Sequence, residues 1–350
     1  MKKPSLGQLT RRLIRRPLVG LSAAALVVSM TACGGDSGNE TSSSKLNVGT
    51  FPIFVSMPIW VAQSEGFFKE NDLDVKLTSL MSGPTMLSAL NSKSIDVMIN
   101  GGTSAMSARA AGQKLQLLTP TIPETIYTLI AANDLLDSCA QADQPYPKPI
   151  ECLKGKKLGV AALGAESHTG ALSLLKDAGL SEKDVTFVPA GGGEAIANAL
   201  KEDQVDAFIA EDTAAAYAVE VIKVGQPLVD LKTESIVSTW LGHGAWALEE
   251  SLTGSSDKME RFADSIADAI AWLDDPKNSE KAAAIFKKNA PTTNDGTIAA
   301  MTTDRAGYFG TTVDCATVDA SAQWLTESGL IPKGQTPGKC ADIVWENARN

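Results

Sequence analysis

The residues best suited to acid–base or nucleophilic chemistry are two histidines and the serine beside one of them. His168 and His243 are the only histidines in the 350-residue chain, and Ser167 directly precedes His168. Nucleophilic catalysis needs a hydroxyl, a base and an orienting carboxylate that meet in space, and neighbours in sequence do not supply that geometry. His168 opens an expected helix and His243 lies in an apolar stretch, so we interpret them as helix-flanking and core residues. We predict that the protein is not an enzyme and uses no cofactor.

The five cysteines divide into Cys33 near the N terminus and four in the body of the chain. Cys139, Cys152, Cys315 and Cys340 form an even set, which in an exported chain favours two disulfides. Three pairings are possible, and Cys139–Cys152 with Cys315–Cys340 closes the shortest loops; four buried thiols are the alternative. We expect no metal site, because the sequence has no Cys-x-x-Cys motif and no histidine beside a cysteine.

Polar and glycine-rich loops that follow the expected strands are the candidate binding surface. In open α/β sheets, ligands lie at the carboxyl ends of strands beside helix N termini, where glycine lets the backbone come close and free N–H groups are available. Turn and N-cap roles are the alternative for each of these residues. The candidate ligand-binding residues are Phe54, Ser56, Ser82, Gly83, Thr85, Gly102, Thr103, Ser104, Ser167, His168, Gly193, Glu194, Glu211, Asp212 and Trp240.

The charge of these loops narrows the ligand. They contain Glu166, Glu194, Glu211 and Asp212 but no lysine or arginine. A phosphate or dicarboxylate would normally attract an arginine fork. We therefore predict a neutral, zwitterionic or amine-bearing solute, or a monoanion held by N–H groups. The alternative is that the carboxylates complement helix dipoles and face water.

The elements that would position these loops occur twice. When the sequence is shifted by 110 residues, Ser88–Ile99 lies over Asn198–Ile209, and Asp74-Val75 falls on Asp184-Val185. Each unit reads as three apolar strands that alternate with helices. Such alternation predicts parallel sheet with helices on both faces, so we expect an α/β protein of two lobes with a cleft between them.

The N-terminal residues predict export and anchoring. Residues 1–32 hold six of the 31 lysines and arginines and none of the 41 acidic residues. The apolar run Leu18–Val28 is too short to span a bilayer, as in a secretory signal peptide. Cys33 follows a small residue, as in a bacterial lipobox, so we predict lipidation there; cleavage near Ala32 beside an incidental cysteine is the alternative. Arg11-Arg12 leaves Sec and twin-arginine export open.

The remaining composition limits the partners. Residues 33–44 include no large apolar side chain and are expected to form a flexible tether. The chain carries a net charge of −10 even with its basic signal segment, which disfavours nucleic acid and anionic lipid. We expect a monomer, anchored by lipid on the extracytoplasmic face of the cell membrane.

Several motifs resemble a known family. The run Trp60–Val75 resembles the opening signature of substrate-binding proteins of ABC importers for nitrate, sulfonates, taurine and thiamine precursors. Similar family motifs are Ile95-Asp96-Val97, Leu153–Val160 and Val205-Asp206-Ala207. The resemblance covers about Lys45 to Phe286. The sequence departs from the pattern where the family's glycines give way to Asp72 and to Lys93-Ser94, and where Glu-Pro gives way to Glu211-Asp212.

The resemblance implies a type II periplasmic-binding-protein fold with the ligand cleft between its lobes. Lobe 1 would comprise 45–130 and 243–350 and lobe 2 would comprise 131–242, with crossings near Leu129–Asn133 and Val237–Gly242. It also implies solute capture by hinge closure and delivery to an ABC permease and its ATPase. One alternative is an enzyme on the same fold, like the relative that makes the thiamine pyrimidine with a Cys-rich motif not found here. The other is a surface lipoprotein that transports nothing.

Overall fold

The computed structural model describes residues 44–348 except 230, 233–237, 239 and 304–306. The predicted signal peptide 1–32, Cys33 and the tether up to residue 43 lie outside the described residues. Within the described part of the chain, no helix has the length and apolar character needed to cross a membrane.

The described residues form strands and helices that alternate over most of the chain. The strands are β1 (Lys45–Thr50), β2 (Asp74–Ser79), β3 (Val97–Gly101), β4 (Leu115–Ile122), β5 (Tyr127–Ala132), β6 (Lys157–Val160), β7 (Thr186–Pro189), β8 (Ala207–Glu211), β9 (Gly225–Val229) and β10 (His243–Leu248). The α-helices are α1 (Met57–Glu65), α2 (Phe67–Glu70), α3 (Gly83–Asn91), α4 (Gly102–Ala110), α5 (Asn133–Ser138), α6 (Glu166–Asp177), α7 (Glu194–Lys201), α8 (Asp212–Ala216), α9 (Glu249–Gly254), α10 (Ser256–Asp274), α11 (Ser279–Asn289), α12 (Asp295–Thr302), α13 (Cys315–Ser328) and α14 (Cys340–Ile343).

The strands assemble into two five-stranded sheets, in the orders β2-β1-β3-β10-β4 and β7-β6-β8-β5-β9. We call these sheets, with the helices packed on them, the first lobe and the second lobe. β1 pairs in parallel with β2 and β3, and β6 with β7 and β8. The predicted two-lobed α/β fold is confirmed.

The strands predicted from the sequence pair in parallel, and each sheet also contains one strand that runs against the others. β10 lies antiparallel between β3 and β4, and β5 lies antiparallel between β8 and β9. Each of these strands is the first that the chain forms after crossing from the other lobe. It therefore starts at the edge where the parallel strands end and runs back through the sheet.

The first crossing between lobes is earlier than predicted. β4 ends at Ile122 and β5 begins at Tyr127, so the chain crosses at residues 123–126. The predicted crossing at Leu129–Asn133 falls inside the second sheet, where Leu129 pairs with Ile209 of β8. The return crossing lies between Val229 and His243.

The sequence repeat is also a repeat of hydrogen bonds. Asp96 Oδ2 accepts the backbone N–H of Asn47 at 2.7 Å, and Asp206 Oδ2 accepts that of Lys157 at 2.7 Å. The preceding turns match as well, because Lys93 and Asp203 have φ of 56° and 54°. These equivalent contacts fix the start of β1 and β6 against the turn before β3 and β8.

Removal of either carboxylate should destabilise the protein by a similar amount. We expect Asp96→Ala and Asp206→Ala each to lower the free energy of unfolding by about 1–2 kcal/mol, because each removes a hydrogen bond to a charged acceptor. Urea denaturation measures the change, with exposed Asp74→Ala in β2 as the control. A pair of losses that differ by more than about 1 kcal/mol would argue against equivalent roles.

The C-terminal helices contact both lobes. α10 and α11 pack against α1 of the first lobe, whereas α12 packs against α11 and also against α8 of the second lobe. Disulfides join Cys139 to Cys152 and Cys315 to Cys340, the pairing that the sequence favoured. The first closes the loop before β6, and the second ties α13 to α14.

Candidate functional site

The carboxyl ends of strands from both lobes face each other across a cavity of about 320 Å³. The approach is close, since a Cβ added to Gly193 would lie 3.1 Å from Ile53 Cγ2. This volume is at the small end of the range for small-molecule sites, about 300–1,000 Å³. The lining residues are Phe51, Pro52, Ile53, Met81, Gly192, Gly193, Glu194, Ala195, Asn198, Thr213, Thr292 and Thr293.

Beside this cavity, a carboxylate of the second lobe inserts into the first. Glu166, the first residue of α6, accepts hydrogen bonds from the backbone N–H of Thr103 at 3.2 Å and from its hydroxyl at 2.7 Å. Thr103 lies in the first turn of α4, where free N–H groups and the helix dipole favour an anion. The carboxylate also lies directly against Gly101, because a Cβ added there would be 1.6 Å from Glu166 Oε2.

β5 and β10, the first strands formed after each crossing, place two aromatic side chains beside Glu166. His243 opens β10 opposite Gly101, and Tyr127 opens β5 opposite Glu211. Their ring centroids are 6.2 Å apart, and His243 Nε2 lies 3.8 Å from Glu166 Oε2. The starts of β5 and β10 therefore meet around the Glu166 carboxyl group.

Burial shifts the titration of these groups in opposite directions. Burial raises the pKa of Glu166 to about 7, although the hydrogen bonds from Thr103 and then Tyr127 lower it. Burial lowers the pKa of His243 to about 4. Burial, followed by the charges of Glu166 and Glu211, raises the pKa of the Tyr127 hydroxyl. Near neutral pH, the site thus holds a neutral imidazole beside a carboxyl group that is partly protonated.

Two further carboxylates lie at helix starts around the cavity. Glu211 is buried, and its Oε1 accepts the N–H of Gly193 at 3.0 Å, immediately before α7. Burial raises the pKa of Glu211. Glu194 Oε1 accepts the N–H of Asn294 and the hydroxyl of Thr297, both at 2.7 Å, at the start of α12. Glu194 is the charged residue in the cavity wall.

The Thr213 hydroxyl is the polar group in the cavity wall with an unmet hydrogen-bonding need. The residue is 2% exposed, and among the described residues its Oγ1 has no hydrogen-bond partner. Buried hydroxyl groups in folded proteins are nearly always paired, with protein or with another molecule. Thr213 follows β8 and Asp212, at the place where a strand tip and a helix start point into the cleft.

The family follows from a sequence match over residues 53–279 to the family model described as NMT1/THI5 like. The protein belongs to the NMT1/THI5-like family. This confirms the family resemblance of the sequence motifs. Among the described residues, no group of three or more histidine, cysteine, aspartate or glutamate side chains could hold a metal ion.

This NMT1/THI5-like protein has relatives of two kinds. It is 25% identical over 241 residues to the 4-amino-5-hydroxymethyl-2-methylpyrimidine phosphate synthase THI11 of Saccharomyces cerevisiae, which covers 66% of this chain and 67% of the yeast protein. The fold is similar to the periplasmic aliphatic sulphonate binding protein SsuA from Escherichia coli, with a TM-score of 0.67, 21% identity, and coverage of 87% and 98%. It is equally similar to the alkanesulfonate-binding protein SsuA from Xanthomonas axonopodis pv. citri bound to MOPS, with a TM-score of 0.67, 18% identity, and coverage of 88% and 98%.

The first-lobe candidates from the sequence divide between the cleft edge and the core. Thr103 binds Glu166, and Gly102 N–H donates to the carbonyl of Gly242 at the hinge, 2.8 Å away. Ser82 caps α3 by accepting the N–H of Thr85. Gly83 packs close to Ser104, since a Cβ there would lie 3.3 Å from its hydroxyl.

Two other first-lobe candidates support the loop from beneath. Phe54 is a core residue, 2% exposed, and packs against the rings of Phe286, Tyr308 and Phe309. Ser56 is buried and accepts the N–H of Phe51 at 3.0 Å. Both residues hold the loop after β1 in place rather than line the cavity.

The second-lobe candidates repeat this division. Gly193 and Glu194 line the cavity, whereas Ser167 accepts the N–H of Ala161 at 3.0 Å, as Ser56 does for Phe51 in the first lobe. His168 accepts the N–H of Gly164 at 3.1 Å and packs edge-on against Phe187. Its position is therefore that of the helix-flanking residue expected from the sequence.

Trp240 lines a different cavity, of about 540 Å³, beside the crossing segments, and Asp212 is linked to that cavity by an ion pair. Asp212 pairs with Lys232 at 3.1 Å, and both Lys232 and Trp240 line this cavity. Trp240 is 1% exposed and packs on Trp324 of α13, with ring centroids 4.4 Å apart. Neither candidate is among the residues that line the cavity between the strand tips.

Several residues at the cleft were not among the sequence candidates. Glu166 and Thr213 belong to loops that the strand order had located, and their side-chain roles depend on contacts across the lobes. Thr292 and Thr293 reach the cavity from the turn between α11 and α12. That turn has no strand before it and no motif, so the sequence contains no signal for it.

Proposed function

We propose that the protein is the solute-binding component of an ABC importer that captures a small polar solute between its lobes. The observation that carries this proposal is the cavity between the strand tips, which is built from both lobes and whose wall includes Thr213, a residue with an unpaired buried hydroxyl. A solute there would contact the loop after β1 and the start of α7 at once. The two structural neighbours, a periplasmic aliphatic sulphonate binding protein and an alkanesulfonate-binding protein, support the same proposal.

Hinge closure is the proposed mechanism. The lobes are connected by the crossing at 123–126 and by the return that ends in Gly242. A solute that contacts both lobes binds the closed form more tightly, and it shifts the population toward that form by the difference in affinity. The closed form would then dock on a membrane permease with its ATPase.

We also propose that the chain works outside the cytoplasm, tethered by a lipid. Residues 1–32 would direct export, the Cys33 thiol would carry the lipid, and residues 34–44 would span the gap to the first lobe. Two disulfides in the described part of the chain fit an oxidising compartment. Mass spectrometry of the membrane-extracted protein tests the anchor, because an unmodified Cys33 or an intact signal peptide would contradict it.

A synthase is the second candidate, because the yeast relatives carry that name. The histidine most suited to general-base chemistry by exposure is His168, which is held by Gly164 and Phe187 and does not line the cavity. Solute capture therefore has more support from the geometry. Conversion of any bound solute into product by the purified protein, lost in His168→Ala, would favour the synthase.

Substitution of Thr213 by valine tests the binding site without harming the fold. We expect Thr213→Val to leave the melting temperature unchanged or slightly higher, because an unpaired buried hydroxyl contributes nothing to the folded state. The same change should weaken solute binding about 5- to 30-fold, the loss of one hydrogen bond of about 1–2 kcal/mol. Thermal-shift titration of a polar-solute library measures both quantities.

Thr121→Val is the matched control. Thr121 is buried, lies outside the cavity wall, and donates its hydroxyl to the carbonyl of His243 at 3.3 Å. This variant should lose stability by about 1 kcal/mol and keep its affinity. Equal affinity of wild type and Thr213→Val for every solute that binds would remove Thr213 from the site, and an absence of any binding solute would refute solute capture.

A further inference from the structure

Three helix starts around the cleft share one property: each already holds a carboxylate of the protein. The start of α4 holds Glu166, through the N–H of Thr103. The start of α7 holds Glu211, through the N–H of Gly193, and the start of α12 holds Glu194, through the N–H of Asn294. These N termini are where an anionic ligand would find free donors and a favourable dipole.

The burial of Glu166 and Glu211 also disfavours an anionic solute. Glu166 and Glu211 are 5% exposed, and an anion brought near either one would be repelled whenever that carboxyl group is ionised.

The cations in the vicinity are neutralised. Lys287 donates to the carbonyl of Thr293 at 2.8 Å and pairs with Asp295 at 2.9 Å. Lys232 lines the cavity of about 540 Å³ beside the crossing segments and pairs with Asp212. The wall of the cavity between the strand tips contains no lysine, arginine or histidine. A sulfonate, carboxylate or nitrate would therefore find no counter-ion in the wall that the structure describes.

The remaining wall has a mixed character that suits an uncharged or cationic molecule. Phe51, Pro52 and Met81 supply apolar surface, and Met81 is 69% exposed at the mouth. Asn198, Thr213 and Thr292 supply amide and hydroxyl groups that can pair with N–H and O–H donors. Glu194 makes the electrostatic potential negative on its side of the cavity wall.

From these contacts we infer that the solute is uncharged or cationic, with N–H or O–H donors, and that the cleft discriminates against monoanions. This inference rests on solute capture as the function of the cleft. It narrows the solute class, since a monoanion was compatible with the sequence alone. It also separates this protein from the sulfonate-binding neighbours, whose names describe anionic ligands.

The test compares solutes that differ in charge on one carbon skeleton. Benzylamine, benzyl alcohol and phenylmethanesulfonate form one series, and ethanolamine, ethylene glycol and 2-hydroxyethanesulfonate form another. They are titrated into the full-length protein beside a library of small solutes sorted by charge, with the shift in melting temperature as the readout. We expect the binders to come from the amine and uncharged classes, with anions at least about 10-fold weaker.

Glu194→Gln provides the matched variant, because its amide oxygen can still accept from Asn294 and Thr297. We expect it to weaken amine binding about 3- to 10-fold and to leave uncharged solutes within about 2-fold. Tightest binding by a sulfonate, carboxylate or nitrate would overturn the inference and leave solute capture intact. Amine affinity that is unchanged in Glu194→Gln would overturn the role of Glu194 charge. An absence of binding in all classes would instead refute solute capture itself.

Discussion

Gly101→Ala is expected to weaken solute binding roughly 100-fold, equivalent to about 2.7 kcal/mol, while the first lobe stays folded. Gly101 ends β3 with φ of −69° and ψ of 146°, which alanine adopts without strain. Its new methyl group would stand 1.6 Å from the present position of Glu166 Oε2. Glu166 would have to leave Thr103, and the lobes would lose the contact that closes them beside the cavity.

A double variant shows whether that collision is the cause. In a Glu166→Ala background the obstacle is absent, so the added Gly101→Ala should cost less than about 0.5 kcal/mol in affinity. The coupling energy between the two sites should accordingly reach about 2 kcal/mol, in the range for residues in contact. Gly254→Ala is the control, because no atom lies within 4 Å of its added Cβ. Additive effects of Gly101→Ala and Glu166→Ala would contradict a closure contact between them.

Glu166→Gln is expected to change the pH dependence of stability. Burial holds the pKa of Glu166 at about 7 instead of 4.5, so the folded state retains a proton that the unfolded state releases. The stabilisation by the neutral acid is therefore complete below pH 4.5 and is lost as the pH rises through about 7. A shift of this size corresponds to about 3 kcal/mol. Glutamine stays neutral, so the variant should gain up to that amount on the wild type between pH 4.5 and 8.

Urea denaturation at several pH values measures this difference directly. The wild-type profile alone would hide the contribution of Glu166, because titration of His243 changes the free energy of unfolding in the opposite direction over nearly the same pH range. Burial lowers the pKa of His243 to about 4, so its contribution is present above pH 6.5 and is lost as the pH falls through 4. The profile of Thr213→Val should run parallel to that of wild type. A parallel profile for Glu166→Gln as well would show that the buried acid does not titrate in this window.

Much of the architecture was predictable because it depends on local pattern. The repeat at 110 residues located β1–β3 and β6–β8 and the loops after them. Even the departures from the family pattern keep its geometry, since Asp72 and Lys93 replace turn glycines and still have φ of 53° and 56°. The turns persist although a non-glycine residue in that conformation costs roughly 1–2 kcal/mol.

The rest depends on contacts between distant parts of the chain. The antiparallel insertion of β5 and β10 follows from the direction in which the chain re-enters each sheet, which a strand pattern does not contain. In the sequence, Glu166 is an ordinary acidic residue in the first turn of a helix. It bonds across the lobes only because α4 of the first lobe lies next to it. Phe54 was placed at the cleft because its loop follows a strand, but the arrival of Phe286 and Phe309 draws it into the core.

Hydrogen exchange in the presence of a binding solute tests the clamp most directly. The amides of residues 51–56 belong to the first lobe and those of 191–195 to the second, and both segments border the cavity. Addition of the solute that most raises the melting temperature should slow exchange in both segments together, because the solute closes one lobe on the other. Slower exchange in one segment alone, or in neither, would mean that the two lobes do not grip the solute between them.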